Sequence, residues 1–439
     1  METSGVKRFR LTSATSVVLI MLCVMYFLTY LDRVNVSTAA VGFAKDFNLS
    51  HTQVGFVFSA FGYPYLLFQF IGGWVSDRFG ARHTLIFCGL LWGIATLLVG
   101  MSTNLTWMLS ARVLLGIGEG GAFLAATVAM SRWVAKERRG FAQGITHSAS
   151  RIGNAAAPLF VAALMAMHSW RAPFFVTGVV DLLWVVGWIL IFTEYPKDHP
   201  RITAEELAHL PPPKARPKNV PYLALLRRML PVTIVYFCYG WTLWLFLSWI
   251  PQYFLHNYNL RLGTSALFTF LVFSAGVVGD TLGGLVTDRI YKRTGGNVRR
   301  ARSGMVAVCM LLAMAAMLPM MFMDNLYGTI ACLAGGFFFA EMTIGPMWAI
   351  PMDIAHRYSG TACGFMNIGS ASAVIVSPVV GGFLIDRFHN WDLPFFVSMG
   401  LLLLGVLLTF GMRPDKPFRP EADDGLVPLQ PEPEKVKCE

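Results

Sequence analysis

His168-Ser169-Trp170-Arg171-Ala172-Pro173-Phe174-Phe175 returns 221 residues later as His389-Asn390-Trp391-Asp392-Leu393-Pro394-Phe395-Phe396. A second pair sits at almost the same offset. Gly140-Phe141-Ala142-Gln143-Gly144, followed by Pro158, matches Gly360-Thr361-Ala362-Cys363-Gly364, followed by Pro378, 220 residues on. Two unrelated matches at nearly one offset mark an internal repeat, so the chain reads as one unit used twice. Gly73 with Asp77-Arg78 pairs with Gly284 and Asp288-Arg289 at an offset of 211, so the register drifts through the loops.

Composition says what the unit is made of. The 439 residues are 55% hydrophobic and 14% charged, with a mean hydropathy of +0.56, whereas soluble domains carry about 25% charged residues. So few charges cannot cover a soluble surface of this size, and a multi-span membrane protein is the direct reading. Apolar stretches of about 20 residues begin near 13, 54, 83, 106, 141, 172, 229, 264, 302, 325, 359 and 392. The repeat is therefore six helices followed by six. The expected organisation is a bundle over 1–193, a linker over 194–228, a second bundle over 229–412 and a disordered tail over 413–439. The linker is rich in proline and basic residues, with one short helix expected around Ile202 to Leu210. The first apolar run follows Lys7, Arg8 and Arg10 like a signal peptide, but it is too long and lacks a small-residue cleavage site, so it is read as a retained helix. Seven scattered cysteines without a C-x-x-C pair read as small buried side chains, with neither disulfide nor metal expected.

The net charge of +10 would raise the question of nucleic acid in a soluble chain. Sorted by loop with the N-terminus inside, 28 of the 35 Lys and Arg fall on the inner side and four, Lys45, Arg171, Arg261 and Arg387, on the outer. That asymmetry sets both termini in the cytoplasm. The basic excess then reports topology, and no nucleic-acid partner is expected.

Ionisable residues within spans cost a few kcal/mol each unless paired or hydrated. Here they are Asp32, Arg33, Arg112, Glu119, Arg151, Asp181, Asp280 and Glu341. Arg112 and Glu119 are seven residues apart, two turns along one helix face, either as an ion pair that fixes packing or as a carboxyl poised beside a cation to carry a proton. His147, Ser150, Arg151 and Asn154 follow the i, i+3, i+4, i+7 spacing of one polar stripe. The repeat puts Asn367, Ser370 and Ala371 opposite His147, Ser150 and Arg151, so only the first half keeps the charge. Arg33, Arg112 and Arg151 outnumber Asp32 and Glu119, a balance that favours an anion and favours it more when the carboxyls carry protons. Asp181, Asp280 and Glu341 are expected in structural roles, Asp280 with the charges near Asp288. Gly345-Pro346 and Pro351 predict a broken tenth helix.

Gly73-Trp74-Val75-Ser76-Asp77-Arg78-Phe79-Gly80-Ala81-Arg82 resembles the loop signature of the major facilitator superfamily, and its second copy has Tyr291 where that signature has glycine. The resemblance implies two six-helix bundles that rock about a midplane site, with Gly73, Asp77, Arg78, Arg82, Asp288 and Arg289 in conformational gating. Tyr30-Leu31-Asp32-Arg33-Val34-Asn35, the Arg112 to Glu119 spacing, Trp244 with Trp249-Ile250-Pro251, and Asn367 resemble the anion:cation symporters within that superfamily. This implies proton-driven uptake of a sugar acid or similar carboxylate across the inner membrane, with no cofactor. Asp32 and Glu119 would couple protons, while Tyr30, Arg33, Tyr65, Arg112, Ser150, Arg151 and Asn367 would form the substrate site. Helix 5 departs from the galactonate-type pattern, with Ser150-Arg151 where a glutamine is found. The extra cation suits either a dianionic substrate or a standing partner for Glu119 or Asp32. An organophosphate:phosphate antiporter would need arginines from both halves, and helix 7 has none in its span. A non-transporting anion sensor on the same fold is the other reading. No phosphate-binding G-x-x-x-x-G-K-[ST] loop or hydrolase motif is present, so no enzyme is expected. The expected partners are the small anion, protons and the lipid bilayer, with the protein a monomer.

Overall fold

In the computed structural model the described residues are 13–135, 139–210, 221–323, 325–355 and 358–418. The first half comprises α1 (Ala14–Asp46), α2 (His51–Ala60), α3 (Gly62–Gly100), α4 (Leu105–Trp133), α5 (Arg139–Met167) and α6 (Ala172–Ile191). A short α7 (Ala204–Ala208) lies in the connection. The second half comprises α8 (Tyr222–Asn257), α9 (Leu262–Arg293), α10 (Met305–Met317), α11 (Leu326–Glu341), α12 (Ile344–Ile354), α13 (Ser359–Phe388) and α14 (Leu393–Leu408). Among the described residues, eleven helical segments are long and apolar enough to cross a membrane. The second of the twelve expected stretches is also helical, but it is broken at Phe61 and runs on into the third through Gly80, whose φ of 86° marks the turn between them. Leu190, Phe322 and Tyr327 are about three-quarters or more exposed, on the outer surface that lipid would cover.

Local chemistry sets the helix ends. Ser50 and Gln53 form a reciprocal capping box at the start of α2, and Thr203 and Glu206 do the same for α7. Pro173 and Pro394, the prolines of the repeated motif, occupy the first turns of α6 and α14, where a missing N–H costs nothing. The tenth span breaks at Met342-Thr343, between α11 and α12, as its Gly-Pro pair predicted.

Two boundaries differ from the sequence expectation. α8 begins at Tyr222, seven residues before the expected 229, because the amphipathic stretch Tyr222 to Arg228 continues the helix at the membrane edge. The start of the tail is held in place: Arg228 donates to the carbonyls of Met412, Arg413 and Lys416 at 3.1, 2.7 and 2.9 Å, and the Phe418 amide donates to the Ile354 carbonyl at 2.7 Å. Residues 419–439, most of the expected disordered tail, lie outside the described residues, as do 1–12 and 211–220.

Within the first half α1 packs on α5, and α3 on α4 and α6; within the second, α8 packs on α13 and α14, and α9 on α11. The halves meet where α2 lies on α13, α5 on α9 and α1 on α8. The α2–α13 seam closes the face opposite the chain ends. A side chain at Gly55 would strike the Pro378 carbonyl, and one at Gly382 would strike the His51 carbonyl, so both positions need glycine for the backbones to approach. There Asp386 accepts from the His51 amide at 3.1 Å and the Thr52 amide at 2.7 Å, and pairs with His51 Nδ1 at 2.7 Å, joining one bundle to the first turn of a helix in the other. Toward the opposite face, Gly144, Gly284, Gly360 and Gly364 have nothing within 4 Å of where a Cβ would stand. At the α2–α13 seam the two bundles approach backbone to backbone.

Candidate functional site

On α1, Tyr30 and Arg33 are three residues apart and share a face. The guanidinium of Arg33 therefore lies over the Tyr30 ring, 4.5 Å from its centroid. Tyr65, Phe123 and Phe61 complete a cage at 4.8, 5.0 and 5.2 Å, and Trp244 of the second half closes it at 5.9 Å. Glu119 stands one turn before Phe123 on α4, so the same face that offers the ring offers the carboxylate. Arg33 Nε donates to Glu119 Oε2 at 2.7 Å, with the two side chains 2% and 0% exposed. Among the described residues, Arg33 Nη2 and Glu119 Oε1 are buried without a well-formed hydrogen bond.

Arg112 shares the Glu119 face but turns elsewhere. At the break after α2 the Phe61 amide bonds the Ser59 carbonyl, which leaves the Val57 carbonyl to accept from Arg112 Nε at 3.2 Å. Of the two readings left open for Arg112 and Glu119, the ion pair is not what forms: Glu119 pairs with Arg33 of α1, and Arg112 bonds the carbonyl freed at the helix break. Its guanidinium lies 5.4 Å from the Phe61 centroid.

Asp32 points the other way on α1, toward α6, where its carboxyl meets that of Asp181 with the Thr177 hydroxyl and the Trp92 indole beside them. None of the four carboxyl oxygens has a well-formed hydrogen bond, and the residues are 3% and 0% exposed. Two facing carboxylates repel, and one proton between them converts repulsion into a hydrogen bond. Asp181 was expected to be structural. The available signal was an aspartate alone in the apolar run of α6, which does not name its neighbour.

The α5 stripe divides. The Ser150 hydroxyl donates to the His147 carbonyl at 2.6 Å, within its own helix. Arg151 reaches across to the second half, with Nε 3.2 Å from Asp280 Oδ2 and Nη2 3.0 Å from Glu341 Oε2. Asp280 is thus part of a midplane cluster rather than of the charges near Asp288, and Arg151 pairs with neither Glu119 nor Asp32. Asn367 donates to Gln69 Oε1 at 2.9 Å, and Trp244 to the Ser370 hydroxyl at 3.2 Å. Gln69 was missed because a lone glutamine in an apolar helix has no periodic signature.

At the signature loop, Gly73 and Asp77 both lie within α3, the side chain of Asp77 being outside what is described. Arg78 lies against the Phe79 ring at 5.8 Å, and Arg82 donates to the Ile189 carbonyl at 2.8 Å. The capping group there is Glu194, which accepts from the Ala81 and Arg82 amides at 3.0 and 2.8 Å and pairs with Arg132. The new helix N-terminus after Gly80 attracts a carboxylate, and the chain leaving α6 supplies it. In the second half, Arg302 joins Asp288 and Asp353 at 3.5 and 3.1 Å, while Arg289 is exposed.

The arrangement sets buried guanidinium groups beside buried carboxyls within and between the two halves. Comparison with known proteins agrees in kind. A Major Facilitator Superfamily model matches residues 22–378. The probable sulfoacetate transporter SauU of Cupriavidus necator is 44% identical over 398 residues, 90% of this chain and 92% of its own. The hexuronate transporter of Bacillus subtilis is 27% identical over 90% of this chain and 95% of its own, and the probable galactarate/D-glucarate transporter GarP of Escherichia coli K12 is 28% identical over 90% and 93%. Among solved structures, a bacterial homolog of the human lysosomal transporter Spinster, inward-facing and unoccupied, superposes with a TM-score of 0.71 at 16% identity, over 91% of this chain and 95% of its own.

Proposed function

The chain belongs to the Major Facilitator Superfamily, and from that premise we propose that it imports a small organic anion by proton symport across a bacterial cytoplasmic membrane, with sulfoacetate the first candidate. The observation that carries this reading is the Arg33–Glu119 pair in its aromatic cage, with Arg33 Nη2 buried and unpartnered. A guanidinium offers a carboxylate or sulfonate two parallel donors, and Glu119 occupies only one edge of it. A proton on Glu119 releases the fork to the anion. Loss of the anion restores the ion pair and returns the proton, so binding and protonation rise and fall together. A second proton shared by Asp32 and Asp181 adds positive charge to the same half.

The cage walls are mostly rings. They fit a short, compact anion better than a chain of hydroxyls, which would need a donor or acceptor for each. The relative at 44% identity, named for sulfoacetate, points the same way. Sugar acids are the second reading, supported by the hexuronate and galactarate/D-glucarate relatives and by the Asn367–Gln69 amides.

With the termini inside, as the basic loops argue, the α2–α13 seam lies on the outer side. Alternating access then consists of parting that seam while the other ends close. Uptake of radiolabelled sulfoacetate into proteoliposomes under an imposed pH gradient tests the reading. Accumulation that follows the gradient is expected; binding without flux under any gradient would make the protein a sensor.

A further inference from the structure

Arg151, Asp280 and Glu341 are one cation and two carboxyls joined across the bundle interface. Arg151 comes from α5, Asp280 from α9 and Glu341 from the end of α11, and the Tyr239 hydroxyl of α8 donates to Glu341 Oε1 at 2.9 Å. A purely structural ion pair of this kind would be balanced and saturated. This one is neither. With every member ionised it holds one surplus negative charge where charge is costly. Arg151 Nη1 is buried without a partner, although its side chain is only 8% exposed. Asp280, at 16%, is the one carboxyl of the pair with an opening to solvent, and Glu341 is at 0%.

Its surroundings tie the cluster to the Arg33 cage. Tyr30, whose ring carries the Arg33 guanidinium, also interacts electrostatically with Arg151. His147, one turn before Arg151, faces Asp280 and packs against Tyr26 and Trp348 at 5.8 and 6.0 Å. Tyr236 faces both Arg151 and Glu341. The groups around the two carboxyls are therefore Arg151, His147, Tyr236 and Tyr239, with Arg151 as their permanent cation.

We propose that Arg151 is a second anion fork, which turns from Asp280 and Glu341 to the far acidic group of a dianionic substrate while Glu341 takes up a proton. This deepens the transport reading and rests on it. When Arg151 turns to the anion, Glu341, 0% exposed, keeps only the Tyr239 hydroxyl among its described partners, so it remains in place as the neutral acid. Asp280 keeps its opening to solvent. The balance is one anion and one proton entering the cluster together, with no other species required. Because the fork belongs to one bundle and its resting partners to the other, the exchange also cuts an ionic tie between bundles at the moment the substrate is bound.

The test is calorimetric titration of the purified full-length protein with sulfoacetate in two buffers of different ionisation enthalpy, which yields protons taken up per anion bound. Glu341→Gln is expected to lower that number by about one while binding persists. Arg151→Gln is expected to lower it likewise and to weaken sulfoacetate binding about 10- to 100-fold, because Glu341 is then already protonated before the anion arrives. Asp280→Asn should leave the proton number unchanged. Wild-type binding with the same proton uptake in the Glu341→Gln and Arg151→Gln proteins overturns the second fork and leaves the first intact. A wild-type protein that binds neither sulfoacetate nor sugar acids overturns the transport reading, and this proposal with it.

Discussion

Arg33 spends one nitrogen on Glu119 and keeps another in reserve, and the sharpest consequences at the residue scale follow from that. Glu119→Gln still accepts a hydrogen bond from Arg33, so the fold should persist, but the exchangeable proton is gone. The mutant is expected to lose sulfoacetate accumulation driven by a pH gradient while retaining counterflow exchange in proteoliposomes; accumulation equal to the wild type's would clear Glu119 of coupling. Arg33→Lys keeps the charge but replaces a planar fork stacked among rings with a point charge. Binding of sulfoacetate should weaken by at least about tenfold in a titration. The members of this site could be picked out as charges inside apolar runs. Their pairing could not, because Glu119 chose Arg33, 86 positions away, over Arg112, two turns along its own helix. Spacing predicts which side chains share a face, whereas the neighbouring helix decides which of them is met.

At the scale of elements, the repeated His-x-Trp-x-x-Pro-Phe-Phe motif was legible because its chemistry is local: proline in the first helical turn and aromatic packing just after it. The broken tenth span followed from Gly345-Pro346 for the same reason. Glu194 was not legible, since it caps a helix that begins 113 positions earlier, and only the fold brings the two together. That carboxylate ties α3, α4 and the exit of α6 at one point. Glu194→Ala should destabilise the first bundle by about 1–2 kcal/mol, seen as a lower midpoint in thermal melts of the purified protein. Glu194→Gln, which can still accept from one amide, should fall between.

For the whole molecule, the composition and repeat gave the twelve-stretch, two-bundle architecture, and what they left open lies almost entirely between the bundles. Asn367–Gln69, Arg151–Asp280 and His51–Asp386 join residues 298, 129 and 335 apart, with no periodicity to announce them. The His51–Asp386 seam should respond to mutation as a closure does. In a protein whose native cysteines are replaced by serine or alanine and that carries Ser59→Cys on the buried face of α2, adding Asp386→Ala is expected to speed labelling by a membrane-impermeant maleimide; an unchanged rate would mean the seam is held by packing alone. Two smaller tethers lie at the opposite end. Thr15 of α1 donates to Glu206 of α7 at 3.2 Å, while Arg228 of α8 clasps the start of the tail. Each bundle therefore carries its own handle on the same face, one moving with the first half and the other with the second. A donor dye at Glu205 and an acceptor at Lys416 would turn the rocking of the two bundles into a change in energy transfer, an optical readout of the transport cycle with no label near the site.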